Sequence, residues 1–171
     1  MSLVKSIDTL KKNRKITKGV RVKKKLNIKT DKLFTIITPQ VDKLVKEWGK
    51  SGIVNIYTTH TTTSLRVLEN ELLHHADVLT WLDKNFPKEK PNDEKYLHDL
   101  ISLRTDVPTE ERINAYSHMR SLLFNTSETI PVQDGKLMLG KWQDIHFIEL
   151  DPGDSVFSLQ NRTIICTFIG E

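Results

Sequence analysis

Apolar positions along the chain change period several times, and the changes mark the elements. Residues 20–29 and 33–38 read as two strands joined by the turn-like Thr30-Asp31-Lys32. Thr38-Pro39 then opens a helix, threonine suiting the cap and proline the first helical position. Val41, Leu44, Val45 and Trp48 fall at i, i+3, i+4 and i+7, and Gly49 and Gly52 end the stripe. Residues 53–59 (IVNIYTT) and 64–69 are the next strands. Leu72, Ala76, Leu79, Leu82 and Phe86 have helical spacing, and residues 87–95 form a charged loop. Residues 96–109 carry no clear period. A further helix over 110–124 is expected to turn Met119, Leu122 and Leu123 to the core.

In the last third, residues 127–133 and 136–139 flank Asp134-Gly135 as a hairpin with a two-residue turn. Residues 143–150 alternate Ile145, Phe147 and Glu149 against Asp144, His146 and Ile148. Asp151-Pro152-Gly153-Asp154 turns the chain into a final strand pair. Six or more strands with about three helices make an α+β domain.

The length, 171 residues with 37% hydrophobic positions, suits one domain over 19–171 behind a basic extension over 1–18. No apolar run reaches the ~20 residues of a membrane helix, and no secretory signal is evident, so a cytoplasmic protein without membrane contact is expected. The single cysteine, Cys166, lies in an alternating apolar run and reads as inert packing in a reducing compartment. Net charge is +4, concentrated between Lys5 and Lys25, where Asp8 is the one acid. Such a run could touch nucleic acid, but no aromatic interleaves it, so it reads as a solvated tail leading into an edge strand and no nucleic-acid partner is expected.

The segment TTHTTTS, residues 58–64, stands out. Threonines are good strand formers, but β propensity does not account for His60. A histidine there can ligate a metal or serve as acid or base near neutral pH, and the hydroxyls of Thr61 and Thr62 can hold phosphate oxygens. Other polar residues sit where a core would prefer apolar groups: Glu69-Asn70-Glu71, Asp77, His98-Asp99, Arg104, His118 and Glu149. Histidines and a carboxylate from separate elements are what a zinc-like site needs. His74 and His75 read as a solvated helix face, His146 as the exposed face of a strand, and Glu149 as either a functional or a paired structural acid. No phosphate loop, dinucleotide fingerprint or GxSxG elbow is present.

Several motifs together, TTHTTTSL, LEN before Asp77, YLHDLISLRTD, Ser117-His118, SETIPVQDGKLMLGKWQ and FIELD, resemble the YjbQ-like family over about residues 20–170. Ile113, Asn125 and Lys141 depart from its pattern. The resemblance implies a mixed sheet closing into a sandwich or barrel with about three helices, and a homotrimer with sites near subunit interfaces. It also implies thiamine-phosphate synthase activity, joining a pyrimidine diphosphate to a thiazole phosphate, a small phosphorylated substrate. Carried over by position, the site comprises His60, Glu69, Asn70, Asp77, His98, Arg104, His118, Trp142 and Gln143. Loss of a diphosphate calls for Mg²⁺ with oxygen ligands and a cation, which Glu69, Asp77, Arg104 and the threonines could supply. Three histidines instead favour Zn²⁺ in a metal-dependent hydrolase, with His60, His98 and His118 as ligands. A non-catalytic trimeric small-ligand binder is the third expectation. In the enzyme readings the catalytic groups are His60, Asp77 and Arg104, and Thr61, Thr62, Glu69, Asn70, Trp142 and Gln143 hold substrate.

Overall fold

The computed structural model describes residues 20–30, 32–88, 95–106, 112–152 and 160–170. Eight strands and three helices are found among them. In chain order they are β1 (Val20–Thr30), β2 (Phe34–Ile36), α1 (Thr38–Trp48), β3 (Gly52–Thr58), β4 (Thr63–Glu69) and α2 (Leu72–Asn85). Two short 3₁₀ turns, Leu97–Asp99 and Ile101–Leu103, lead to α3 (Ala115–Ser121). The chain ends with β5 (Ser127–Gln133), β6 (Lys136–Leu137), β7 (Gln143–Glu149) and β8 (Gln160–Gly170). A five-stranded sheet has the order β1-β8-β3-β5-β6 and a three-stranded one β2-β7-β4, every pair antiparallel. The sheets curl into a half-barrel of the expected α+β class. Among the described residues no helix is long and apolar enough to cross a membrane.

The core lies between the sheets. Ile28, Val54, Ile56, Ile164 and Phe168 from the larger one meet Leu65, Ile145 and Phe147 from the smaller, and Val41 and Val45 of α1 close one side. Gly49 ends α1 with φ 65°, its N–H bonded to the Val45 carbonyl at 2.9 Å, the left-handed stop that glycine favours. Asp134 (φ 49°) and Gly135 (φ 71°) form the expected two-residue hairpin turn, whose twist needs positive φ at both places. Thr38 does not cap α1. Its hydroxyl donates to Asp144 Oδ1 at 2.6 Å and accepts from Ile145 N–H at 2.8 Å, pinning the helix start to β7.

Strand β7 is the middle of its sheet and is covered on both sides, so its alternation does not divide core from solvent. Ile145 and Phe147 enter the main core, while Ile148, with Leu150 just beyond, packs beneath Leu82 of α2. His146 shares that second side and is fully buried, not exposed as expected. The cause is α2: its partly or fully buried positions are His75, Val78, Leu82 and Phe86, rotated from the expected stripe, which leaves Leu72 and Leu79 exposed. Glu71 caps this helix, its carboxylate accepting from Leu73 and His74 N–H at 2.8 Å each.

Helix α3 is shorter than expected and buries the opposite face: Ala115, Tyr116, Ser117 and Arg120 are inside, and Met119, Leu122 and Leu123 are exposed. Arg120 fastens it to the end of α2, donating to the Phe86 carbonyl at 2.9 and 2.7 Å and to Asp83 at 2.7 Å. Of the expected final strand pair the described residues contain β8, while residues 153–159 lie outside them; Cys166 on the inner face of β8 is buried and free. The basic extension over 1–18 and the middle of the charged loop lie outside the described residues.

Candidate functional site

A continuous polar network runs across the structure between the end of β7, the start of β8 and the loop leading into α3. Glu149 ends β7 fully buried, and Arg162 on β8 grips it through Nε to Oε2 at 2.6 Å and Nη2 to Oε1 at 3.0 Å. The Asp151 N–H donates to the same carboxylate at 3.0 Å. Asp151 is itself held by Arg112 (2.8 Å) and by the Asn114 amide (2.9 Å). Asp99 then caps α3, one oxygen accepting from Asn114 and Ala115 N–H at 3.1 and 2.9 Å. Ser117 Oγ donates to the Leu150 carbonyl at 2.6 Å, tying α3 to the end of β7.

At one end of this network the His98 and His118 rings lie 4.8 Å apart between centroids. Arg104 Nη1 is 3.4 Å from His98 Nε2, and the other His98 nitrogen is 3.4 Å from Asp99 Oδ1. Burial lowers the pKa of His118, and its electrostatic coupling to His98 and Arg104 lowers it further against the opposing Asp151 and Asp99. The second carboxylate oxygen of Asp99 is buried without a partner, as is the Asn114 side-chain oxygen.

At the other end, His60 Nε2 accepts a hydrogen bond from the Thr163 N–H at 3.1 Å. That bond fixes the tautomer: the proton sits on Nδ1, and the lone pair on Nε2 is occupied. Burial, then the Arg162 charge, lowers its pKa, with Glu149 opposing. The side chains of Thr58 and Thr63 bond each other behind it, the Thr63 hydroxyl also reaches the His60 carbonyl at 3.4 Å, and the Thr62 carbonyl accepts from Leu150 N–H at 3.1 Å. The threonines therefore brace the loop with their own hydroxyls.

Of the residues expected to share a site, the fold gathers His98, Arg104 and His118. Among the described residues the His60 ring contacts none of these three; it bonds Thr163, next to Arg162 of the Glu149–Asp151 network. The charges acting on His60 (Arg162, Glu149) and those acting on His118 (His98, Asp151, Asp99, Arg104) have no member in common. Asp77 is exposed on α2, and Glu69 and Asn70 are exposed at the end of β4. Thr61 is exposed and Thr62 buried. Trp142 is exposed beneath the Lys141 ammonium, and the Gln143 side chain accepts from Gly140 N–H at 2.8 Å. Among the described residues no three His, Cys, Asp or Glu side chains are placed to hold a metal ion. The metal expected from the three histidines does not fit this arrangement, because His60 stands apart with Nε2 taken. Arg112, Asp151 and Arg162 were not anticipated. Arg162 was readable, since it continues the inward face of Ile164, Cys166 and Phe168, where an arginine needs a buried acid.

The comparisons with known proteins agree with this fold. The chain is 37% identical over 128 residues to a UPF0047 protein of Archaeoglobus fulgidus, covering 74% of this chain and 89% of that one. It is 34% identical over 132 residues to the UPF0047 protein YugU of Bacillus subtilis, covering 75% and 89%. A crystal structure from Sulfolobus solfataricus, described as a YbjQ-like protein of unknown function, superposes with a TM-score of 0.72 at 26% identity, covering 90% of this chain and 99% of that one. These relatives carry a family designation and no activity, so the expected thiamine-phosphate synthase is corrected: nothing in the kinship supplies that transferase. The metal-dependent hydrolase falls with the separation of its three histidines. The family model described as UPF0047 protein YjbQ-like matches residues 23–171, and the chain belongs to that family.

Proposed function

We propose that the protein takes a small phosphorylated or carboxylated metabolite at His98, Arg104 and His118, and that His118 exchanges a proton with it. The observation that carries this reading is the 4.8 Å ring pair with Arg104 against His98. Three nitrogen groups converge there, while the adjoining carboxylate, Asp99, already accepts two backbone N–H groups. Arg104 rests against the exposed Asp106 at 3.3 Å, and an oxyanion that displaces this carboxylate gains charge-assisted hydrogen bonds from the cluster. The same anion would reverse the depression of the His118 pKa and put a proton where the ligand can use it.

A second copy of the chain belongs to this reading. Leu97 (83% exposed), Leu103 (75%) and Leu122 (76%) flank the cluster in sequence, more apolar surface than a monomer needs to leave wet. Association of copies, three of them as the resemblance implies, would cover it. The unpaired Cys166 supports a reducing compartment such as the cytoplasm.

The test is an NMR titration of the histidine ring protons with and without inorganic phosphate. Phosphate should raise the His118 midpoint, and Arg104→Gln should weaken phosphate binding about tenfold or more. A His118 midpoint that phosphate leaves unmoved would count against the site. Light scattering of the purified chain reads the number of copies.

A further inference from the structure

The outer face of the five-stranded sheet combines a basic edge with an apolar and aromatic centre. Successive side chains of a strand alternate between faces, and the register settles which residues share this one. On β1 they are Arg21, Lys23, Lys25, Asn27 and Lys29, all exposed, opposite the buried or half-buried Val22, Leu26 and Ile28. Across the sheet Arg21 stands in a row with Ile169 and Ile53, and Lys25 in a row with Ile165 and Tyr57. Tyr57, Ile53 and Ile169 are exposed at 44%, 37% and 44%. The intervening and flanking positions are Asn55, Thr129, Thr163 and Thr167, with Ser127 and Pro131 on β5. No acid occupies this face among the described residues, and neither the four cations of β1 nor Lys136 on β6 makes an ion pair there.

We infer that this face binds a single-stranded polynucleotide. Cations on alternate residues of a strand stand about 7 Å apart, a spacing of the same order as successive phosphates on an extended single strand. A track of four can follow one backbone along β1 while bases turn inward over the sheet. Tyr57, two strands in from Lys25, offers a face on which a base can stack, and the neighbouring isoleucines exclude water. A positively charged groove or edge beside an aromatic platform is the arrangement by which sheets hold single strands without reading sequence. A duplex would present its own phosphates to the edge but no base to Tyr57. The basic run of the sequence lacks an interleaved aromatic; the sheet supplies one from another strand, which is why the chain read linearly argues against this partner. Lysines on an edge strand also discourage strand pairing, but that purpose does not require an exposed tyrosine and isoleucine beside them.

The experiment is fluorescence anisotropy of a labelled 15-mer oligouridylate with the full chain over a range of KCl. Each cation lost from the contact should reduce the slope of log affinity against log salt by about 0.7, so the Lys23→Gln/Lys25→Gln/Lys29→Gln variant should lose about 2. Tyr57→Leu should weaken binding at every salt concentration by about fivefold or more with the slope unchanged, and Tyr57→Phe should bind as the parent does. Circular dichroism and melting curves confirm that each variant is folded. Three outcomes overturn the inference: no binding of the oligonucleotide, a salt slope that the triple variant leaves intact, or equal affinity in Tyr57→Leu. Binding of vesicles containing phosphatidylserine in preference to the oligonucleotide would also overturn it, assigning the face to a membrane surface.

Discussion

Arg162 closes on Glu149 through two parallel N–H to oxygen bonds, and the carboxylate it holds has no exposure to solvent. Two elements distant in their pairing meet at this point, since β7 belongs to the three-stranded sheet and β8 to the five-stranded one. The pair therefore links the sheets at the end where the hydrophobic core gives way to the polar network. Removing one partner leaves a buried charge without compensation, the costly way to break such a pair. Arg162→Met should lower stability by about 3 kcal/mol, read as a fall in the urea midpoint. Glu149→Leu combined with Arg162→Met should recover most of the loss, because the uncompensated charge is then gone. A single variant as stable as the parent would show that the pair contributes nothing.

Acid should loosen the packing of α2 on β7. His75 stacks on Phe34 at 4.4 Å, and its ring lies 5.2 Å from that of His146. The Nε2 atoms of both are buried without a partner, while His146 Nδ1 is 3.1 Å from the Asp144 carbonyl. Burial lowers both pKa values from 6.5; His74 adds to this at His75 against the Glu69 backbone and Glu71, and His75 and then His74 add to it at His146 against Asp144. The unfolded chain then binds protons that the folded chain refuses, so stability is full above about pH 6.5 and falls as pH drops through that value toward the lower folded pKa. The urea midpoint at pH 5.5 should lie below that at pH 7.5. In His75→Phe/His146→Leu the acid limb should flatten, although His60 and His118, also depressed, keep part of it. An acid limb of unchanged steepness would remove these two rings from the account.

The periodicity of the chain carried the strands and helix α1 because each presents one buried face. It failed where an element is covered twice or lies only partly covered. His146 alternates with Ile145 and Phe147, which reads as solvent-facing until α2 is laid over that side of β7. Met119 and Leu122 read as core because leucine and methionine usually are, whereas the buried face of α3 is made of Ser117 and Arg120, whose hydrogen bonds replace apolar contact. At the site, His98, Arg104 and His118 were legible as polar residues out of place. The separation of His60 was not, since it depends on the backbone N–H of Thr163, which no side-chain pattern announces.

Asp99 should matter more than its neighbours suggest. It accepts from two N–H groups at the start of α3 and touches His98, so one side chain orders both the helix and the ring pair. Asp99→Ala should cost about 1 kcal/mol of stability, the usual loss for a helix cap. Hydrogen exchange at Asn114 and Ala115 should quicken more than exchange in β7. Exchange rates at those two amides equal to the parent's would refute the capping role.

Cys166 should be unreactive in the folded chain. Its thiol lies on the inner face of β8, and burial pushes its pKa up to about 12, so almost no thiolate exists at pH 8. A disulfide reagent such as Ellman's should titrate no thiol in native buffer and one per chain in 6 M guanidinium. Rapid labelling of the native protein would place the thiol at the surface and contradict the packing of β8.

Gly52 and Gly170 face each other across β3 and β8, and the strands meet there more closely than side chains permit. A Cβ on Gly52 would lie 2.2 Å from the Ile169 carbonyl oxygen and 2.6 Å from Gly170 Cα, and its φ of 149° is one that other residues rarely adopt. Backbone surrounds the position, so nothing can swing aside. Gly49, three residues earlier, is a useful contrast: at φ 65° its Cβ would meet only the Lys46 carbonyl oxygen, at 3.6 Å. Gly49→Ala should therefore cost about 1 kcal/mol, the penalty of a left-handed backbone alone. Gly52→Ala adds a steric clash to strain and should cost about 3 kcal/mol or more. Melting temperatures of the two variants, measured side by side, decide the matter: equal losses would mean that β3 and β8 can part at this point without penalty.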